Sequence, residues 1–313
     1  MKVFTGDPSK WNPDGSPHAV AIGVFDGVHR GHLAVFRALR EARPDLPIAA
    51  LTFGTHPSSV VTGSEPPPSL ASLEERLELF DQAGLDTAAV IDFTDATRAL
   101  SPEDFIEAYV VEGLNAKAVS VGSGFRFGAG AQGTVDTLRL LGQDRGFVVI
   151  ETPIVDLHGT EVRSSAIRAA VASGGVELAA RMLGRRFAIS GTVVAGDARG
   201  RTIGFPTANV TMPSCLVRPA GGVYAVMCSV DGVTYPGVCN VGTRPTFGGS
   251  DEMIEVYLFD IEIDLYGKDM RVEFVDRIRN EERFASVDAL VSQIRIDVQE
   301  ARVILGSAGA SQD

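Results

Sequence analysis

Two stretches of the chain concentrate residue types able to do chemistry. The first is Gly23-Val-Phe-Asp-Gly-Val-His-Arg-Gly-His32. His29 and His32 stand three apart, so at the start of a helix they share one face. Imidazoles placed there donate hydrogen bonds to polyphosphate oxygens and to the charge that develops on them. Gly23, Gly27 and Gly31 permit a close backbone approach to a ligand, the amides that open a helix receive anions, and Phe25 lies within the same cradle. The Lys-Ser/Thr ending of a Walker A loop is missing and the GxGxxG spacing fails. Two histidines alone are too few to hold a zinc ion.

The second stretch is Gly196-Asp-Ala-Arg-Gly-Arg-Thr-Ile-Gly-Phe-Pro-Thr-Ala-Asn209. Gly196, Gly200 and Gly204 make a Gly-spaced loop, and Arg199 and Arg201 add positive charge to it. Thr207 and Asn209 are two apart, so they face alike in an extended segment. A hydroxyl and an amide oxygen are hard ligands suited to Mg²⁺ beside the oxygens of ATP. Two smaller segments join these. Arg163-Ser-Ser-Ala-Ile-Arg168 reads as a helix start with Ser164 and Ser165 at the cap and Arg168 one turn in, a setting for an anion. In Val121-Gly-Ser-Gly-Phe-Arg-Phe-Gly128 the pair Phe125 and Phe127 can line a flat pocket. Each segment also has a plainer alternative: a turn with surface histidines, a solvent loop, a capped helix with a surface arginine, a core with its loop.

The elements that must position these residues change character along the chain. Apolar runs at 19–25, 48–53, 88–91, 118–122 and 147–150 alternate with helix-like segments near 31–43, 72–83, 101–113 and 134–145. Strands apolar on both faces, alternating with helices, predict a mostly parallel sheet covered on two sides. Two more helical segments, 164–173 and 176–183, close this half. Beyond Gly184 the runs are β-rich: 187–194, 222–230, 233–239, 254–261 and 270–276. Asp231-Gly232 marks a hairpin turn. A helical pattern over 286–304 ends the domain, with a frayed tail expected after Gly306. The expected division is 1–183 and 184–306, an α/β nucleotide-binding domain and then a small β-barrel, Greek-key-like, or a curled sheet, with a C-terminal helix against it.

With 313 residues there is room for two domains. Lys and Arg number 28 against 40 Asp and Glu, a formal charge of −12, which argues against non-specific nucleic-acid binding. No apolar run approaches the length of a membrane span. Cys215, Cys228 and Cys239 show no zinc spacing and predict reduced thiols in a cytoplasmic protein. Small-molecule substrates are the expected partners, with weak self-association left open.

The His29-Arg30-Gly31-His32 motif resembles the HxGH signature of the nucleotidylyltransferase superfamily. With the preceding IGVFDGVH it resembles the adenylyltransferase half of the bacterial bifunctional riboflavin kinase/FAD synthetases. The resemblance implies that His29 and His32 contact ATP phosphates, with Ser164, Ser165 and Arg168 facing them from the superfamily's second signature. The family usually has an Asp where Gly54 stands and a polar residue where Gly124 stands. GFPTAN, residues 204–209, resembles the riboflavin kinase signature, and the likeness continues through Gly237–Phe247 and Glu255–Asp260. It implies that Glu255 is the base for the ribityl 5′-hydroxyl, with Tyr257 where the family often has His. The implied activities are phosphorylation of riboflavin to FMN and adenylylation of FMN to FAD, with ATP and Mg²⁺. A riboflavin kinase with a repurposed first domain, and a non-catalytic flavin-binding regulator, stand beside this reading.

Overall fold

The computed structural model describes residues 1–54, 67–196, 199–246, 249–261 and 263–309. The chain divides into two compact units, Met1–Ser164 and Ser165–Asp313. The helical pair that precedes the barrel, 165–183, packs with the second unit.

In the first unit six strands form a parallel sheet: β1 (Lys2–Phe4), β2 (His18–Ile22), β3 (Ile48–Phe53), β4 (Thr87–Ile91), β5 (Ala116–Gly122) and β6 (Val148–Thr152). Their order is β1-β4-β3-β2-β5-β6. Alternation along each strand sends side chains to opposite faces. Val20, Ile22, Leu51, Ile91, Val119 and Val121 pack on one face with Trp11, Phe105 and Leu138. Ala19, Ala21, Ile48, Ala50 and Ala118 take the other face with Val35, Phe36, Leu39 and Phe80. Both faces are therefore dry, as the unbroken apolar runs predict. The helices are α1 (Arg30–Ala42), α2 (Leu73–Gln82), α3 (Asp95–Ala99), α4 (Pro102–Phe105), which continues as a π-type stretch over Ile106–Glu112, and α5 (Val135–Arg145). α4 is capped by Ser101, whose Oγ accepts from the Asp104 amide, and Pro102 opens the helix.

Chain order reverses at β2. The connection from β2 leads to β3 on one side, while β5 lies on the other. α1 and α5 leave β2 and β5 toward opposite faces, packing through Leu39 and Leu138 respectively. A crevice opens at the carboxyl ends of such a pair, which is where open α/β sheets take ligands. The segments after β2 and β5 hold His29 and Phe125. The apolar run at 19–25 thus ends as a strand at Ile22, because the backbone then leaves the ladder and Phe25 adopts φ +54°.

α6 (Ser164–Ala172), which lies in the second unit apart from Ser164, and α7 (Val176–Leu183) precede a closed antiparallel barrel. Its strands are β9 (Phe187–Val194), β10 (Ala208–Val210), β11 (Gly222–Val230), β12 (Val233–Thr246), β13 (Gly249–Leu258) and β14 (Asp269–Arg279), following the small hairpin β7 (Asp156–Leu157) and β8 (Thr160–Glu161) of the first unit. Around the barrel the order is β10-β13-β12-β11-β14-β9. β14 returns beside β11 after the meander β11-β12-β13, which is the Greek-key arrangement. Asp231 and Gly232 both have positive φ, +50° and +79°, as a tight hairpin requires. Tyr224, Cys228, Val272 and Phe274 are among the fully buried side chains of the barrel strands. The opposite side of β11 and β12, at Val223, Ala225 and Val238, is covered by the terminal helix through Val298, Ala301 and Ile304.

Two local expectations change. The Gly-spaced loop contains a short helix, α8 (Arg199–Thr202), and Ala208–Val210 is a barrel strand. The last helix, α9, runs Val287–Gly309, past the tail expected to fray at Gly306. There Ser307 Oγ donates back to the carbonyls of Val303 and Ile304, 3.0 and 2.8 Å away.

Candidate functional site

In the first unit the site begins with the cap of α1. His29 is the N-cap, and its Nδ1 accepts from the Gly31 amide at 3.1 Å and the His32 amide at 3.4 Å. A histidine whose Nδ1 accepts carries its ring proton on Nε2, so in the neutral ring that nitrogen is the donor. The Gly31 and His32 amides that open α1 thus donate to the chain's own His29. The His29 and His32 rings stack with centroids 3.5 Å apart, and Phe25 meets His32 edge to face at 5.2 Å. His29 is 5% exposed.

The glycines here serve the chain's own rings. A Cβ on Gly23 would lie 3.0 Å from the Phe25 ring, and one on Gly31 would lie 3.0 Å from the His29 imidazole. Gly27 has φ +77°, and Phe25 and Val28 hold +54° and +38°. Left-handed conformations at an aromatic and a β-branched residue are strained and persist only where the surroundings hold them. Those contacts are explicit. Ser164 Oγ donates to the Asp26 carbonyl at 3.0 Å, and Thr52 Oγ1 to the Val24 carbonyl at 3.0 Å. The Asp26 carboxylate accepts from the Leu70 amide at 2.8 Å.

Phe125 and Phe127 stack with centroids 5.5 Å apart. Phe127 is buried against Phe105, whereas Phe125 is half-buried at the end of β5. Gly124 has φ +78° with open space around it, and the Asp92 carboxylate lies 3.8 Å from where a Cβ on Gly54 would stand. Ser165, exposed, and Arg168, half-buried, lie on α6 in the second unit.

The second unit builds its site from strand register. Asn209 on β10 is paired with Glu255 on β13, Glu255 with Asn240 on β12, Asn240 with Val223 on β11, and Val223 with Arg279 on β14. Directly opposed residues face the same side, so this row runs across the outer surface of the barrel toward α9. Two residues along, Tyr257 and Val238 repeat the same facing. With Gly200, Ile203, Phe205 and Thr207 on one rim, and Leu290, Ile294 and Asp297 of α9 on the other, they line a cavity of about 470 Å³. That volume suits a small-molecule ligand.

Asn209 is 6% exposed, and its Oδ1 is a buried acceptor without a hydrogen-bond partner among the described residues. A Cβ on Gly196 would overlap the Asn209 amide, and one on Gly200 would overlap the Phe205 carbonyl and reach Thr207 Oγ1 at 3.2 Å. Both glycines are therefore required by the loop packing around the two oxygen donors. Gly204 takes φ +85°. The side chains of Arg199 and Arg201 lie outside the described residues. No group of three or more His, Cys, Asp or Glu gathers among the described residues; the oxygens of Thr207 and Asn209 are of the hard type that a cation such as Mg²⁺ takes.

Among the cavity residues that sequence reasoning missed are Asn240, Arg279 and Asp297. Asn240 lay unassigned inside a quoted motif. Arg279 and Asp297 form a bidentate pair at 2.9 and 2.8 Å, and Gln293 donates to the same carboxylate at 2.9 Å. The carboxylate raises the Arg279 pKa. All three cysteines are free. Cys228 and Cys239 are buried, and burial pushes both thiols well above their ordinary range. Cys215 is exposed.

The fold and sites define a chain with a parallel-sheet unit of nucleotide-binding type and a Greek-key barrel whose polar register row opens under a terminal helix. Residues 12–166 match the FAD synthetase family model and residues 183–305 the riboflavin kinase model. The chain is 41% identical over 92% of its length, and 92% of the relative's, to the bifunctional riboflavin kinase/FMN adenylyltransferase of Escherichia coli strain K12. It is 38% identical to that of Bacillus subtilis strain 168, with 90% of each chain covered. A solved structure described as a macrolide-efflux protein from Streptococcus pneumoniae superposes with a TM-score of 0.89 at 31% identity, covering 96% of this chain and 99% of that one. The chain belongs to the bifunctional riboflavin kinase/FMN adenylyltransferase family. No helix among the described residues is long and apolar enough to cross a membrane.

Proposed function

We propose that the chain phosphorylates riboflavin to FMN and then joins FMN to the AMP part of ATP, giving FAD and pyrophosphate. The first reaction is assigned to residues 184–306 and the second to 1–183. The observation that supports the reading is the row Asn209–Glu255–Asn240 at the cavity that Thr207 also lines, with the buried Asn209 Oδ1 lacking a partner among the described residues.

A primary alcohol is a poor nucleophile until a base takes its proton in the transition state. Glu255, the carboxylate on the register row that lines the cavity, is the base in this reading. Thr207 and Asn209 would hold Mg²⁺ with the nucleotide, and the ion would supply charge neutralisation on the phosphate oxygens. The apolar part of the lining, Ile203, Val238, Leu290 and Ile294, suits a flat ring. In the first unit the nucleophile is an FMN phosphate oxygen, anionic already near neutral pH, so no strong base is needed. His29, through Nε2–H, and His32 orient ATP phosphates and stabilise developing charge.

The test is product chromatography of the full chain and of Glu255→Gln with riboflavin, ATP and Mg²⁺. The wild type is expected to give FMN and FAD. Glu255→Gln is expected to lose FMN formation by about 10²–10⁴-fold while still binding riboflavin and converting supplied FMN to FAD. Wild-type turnover in Glu255→Gln would remove Glu255 as the base; FMN without FAD would remove the second activity.

A further inference from the structure

Arg76 projects from α2 into the first unit and is 7% exposed. Its Nη1 donates to the Val24 carbonyl and its Nη2 to the Phe53 carbonyl, each at 2.6 Å. These carbonyls lie at the carboxyl ends of the neighbouring strands β2 and β3. Burial lowers the pKa of the guanidinium and Asp26 opposes that shift. A buried cation is costly, and an apolar side chain would fill an inward position on an amphipathic helix without that cost. The role of this fork therefore lies in what it holds.

The Val24 carbonyl belongs to the peptide plane that leads into Phe25. Arg76 and Thr52 Oγ1 both donate to this carbonyl, so turning that plane over would break both bonds. Turning it would let Phe25 relax from φ +54° and take its ring away from His32, 5.2 Å distant. His32 in turn stacks on His29, the cap of α1. A continuous path of contacts thus runs from Arg76 through Val24 and Phe25 to both histidines.

We propose that Arg76 is a positioning residue for the first unit's nucleotide chemistry: its fork joins the ends of β2 and β3 so that left-handed Phe25 keeps the His32–His29 stack in place. The proposal rests on the adenylyl-transfer reading of that unit. Its test uses the full chain and two variants, Arg76→Lys and Arg76→Met. Lysine keeps the cation but has no planar fork to bridge two carbonyls. Three measurements are made: FAD formation from FMN and ATP, ADP release from riboflavin and ATP, and ¹⁵N-histidine spectra. In Arg76→Lys the kcat for FAD formation is expected to fall about 10–100-fold, the scale of a small misplacement of reacting groups, with the KM for FMN within about twofold. Riboflavin phosphorylation should be unchanged and the His29 and His32 ring resonances should shift. Wild-type kcat, or unshifted histidine resonances, in Arg76→Lys would overturn the proposal, and that variant decides if Arg76→Met does not fold. A wild type that makes no FAD defeats the adenylyl-transfer reading and the catalytic part of the proposal with it; the histidine spectra separately decide whether Arg76 holds the stack.

Discussion

Asp297→Asn is expected to loosen the terminal helix and, through it, the cavity in which FMN would form. Asp297 has a side chain only 3% exposed, and its Arg279 partner 17%. The two meet through two short bonds, and Gln293 adds a third to the carboxylate. Opposite unit charges about 4 Å apart interact by about 4 kcal/mol at an effective dielectric of about 20. Removing one member of a buried pair costs about 3–5 kcal/mol because the other charge stays buried. Asparagine keeps the shape and one acceptor but turns an amide toward the guanidinium, and Arg279 retains some contact with water. The expected loss is therefore about 2–4 kcal/mol, or roughly 5–12 °C in the melting temperature of a unit of this size. Far-UV circular dichroism of the full chain follows this transition, while fluorescence of Trp11, the chain's one tryptophan, follows the first unit. In kinetics the KM for riboflavin should rise, because Leu290 and Ile294 line the cavity from the same helix, and FAD formation from supplied FMN should stay within about twofold, as for independent sites. A melting shift below about 1 °C with an unchanged KM would refute the claim that this pair anchors α9 over the cavity.

Two further outcomes follow from local geometry. His29→Asn keeps a good N-cap, so the melting temperature should hold while FAD formation falls about 10²–10³-fold for want of the Nε2 donor; His29→Ala should lose the same activity and in addition about 1 kcal/mol of stability. Equal melting temperatures for the two variants would remove the capping role. Alkylation of the folded chain at pH 8 should label Cys215 alone. Cys228 and Cys239 have thiols pushed upward by burial, so the reactive thiolate is scarce there as well as inaccessible; mass spectrometry showing either one labelled before unfolding would contradict this.

The elements that sequence makes legible are those whose pattern is local. The parallel strands of the first unit are apolar on both faces, and the start of α1 follows from glycines and histidines packed into one turn. Asp231-Gly232 announces its hairpin. β1 is not legible, because Lys2–Phe4 is an edge strand of three residues with no alternation to read. β10 hides among Gly and Pro, and only pairing with β9 and β13 makes Ala208–Val210 a strand. Arg76 reads as an ordinary charged residue of an amphipathic helix, since nothing local shows that it turns inward to two carbonyls. Asn240, Arg279 and Asp297 become site residues only through barrel register and the docking of α9, which are long-range facts. Gly23 and Gly31 are a subtler case. Their smallness was readable, but the atoms that need the space are Phe25 and His29 of the same chain.

The two sites differ in the way their proposed reactions differ. An alcohol must lose a proton as it attacks, so the barrel presents a carboxylate, Glu255, fixed between Asn209 and Asn240 by the pairing of three strands. Register holds such a row firmly, because a slip by one residue would send every member to the other face. A phosphate oxygen needs no base, and the first unit accordingly brings donors to its loop. What that reaction demands is orientation of a polyphosphate, and the loop meets it with strain: two left-handed non-glycine residues, fastened through main-chain carbonyls by Arg76, Thr52 and Ser164. A carboxylate on a barrel strand can be exchanged for its amide with little change of fold. A change at one of the loop's fasteners should therefore alter the loop and its chemistry together, whereas Glu255→Gln in the barrel should remove the chemistry and leave the fold.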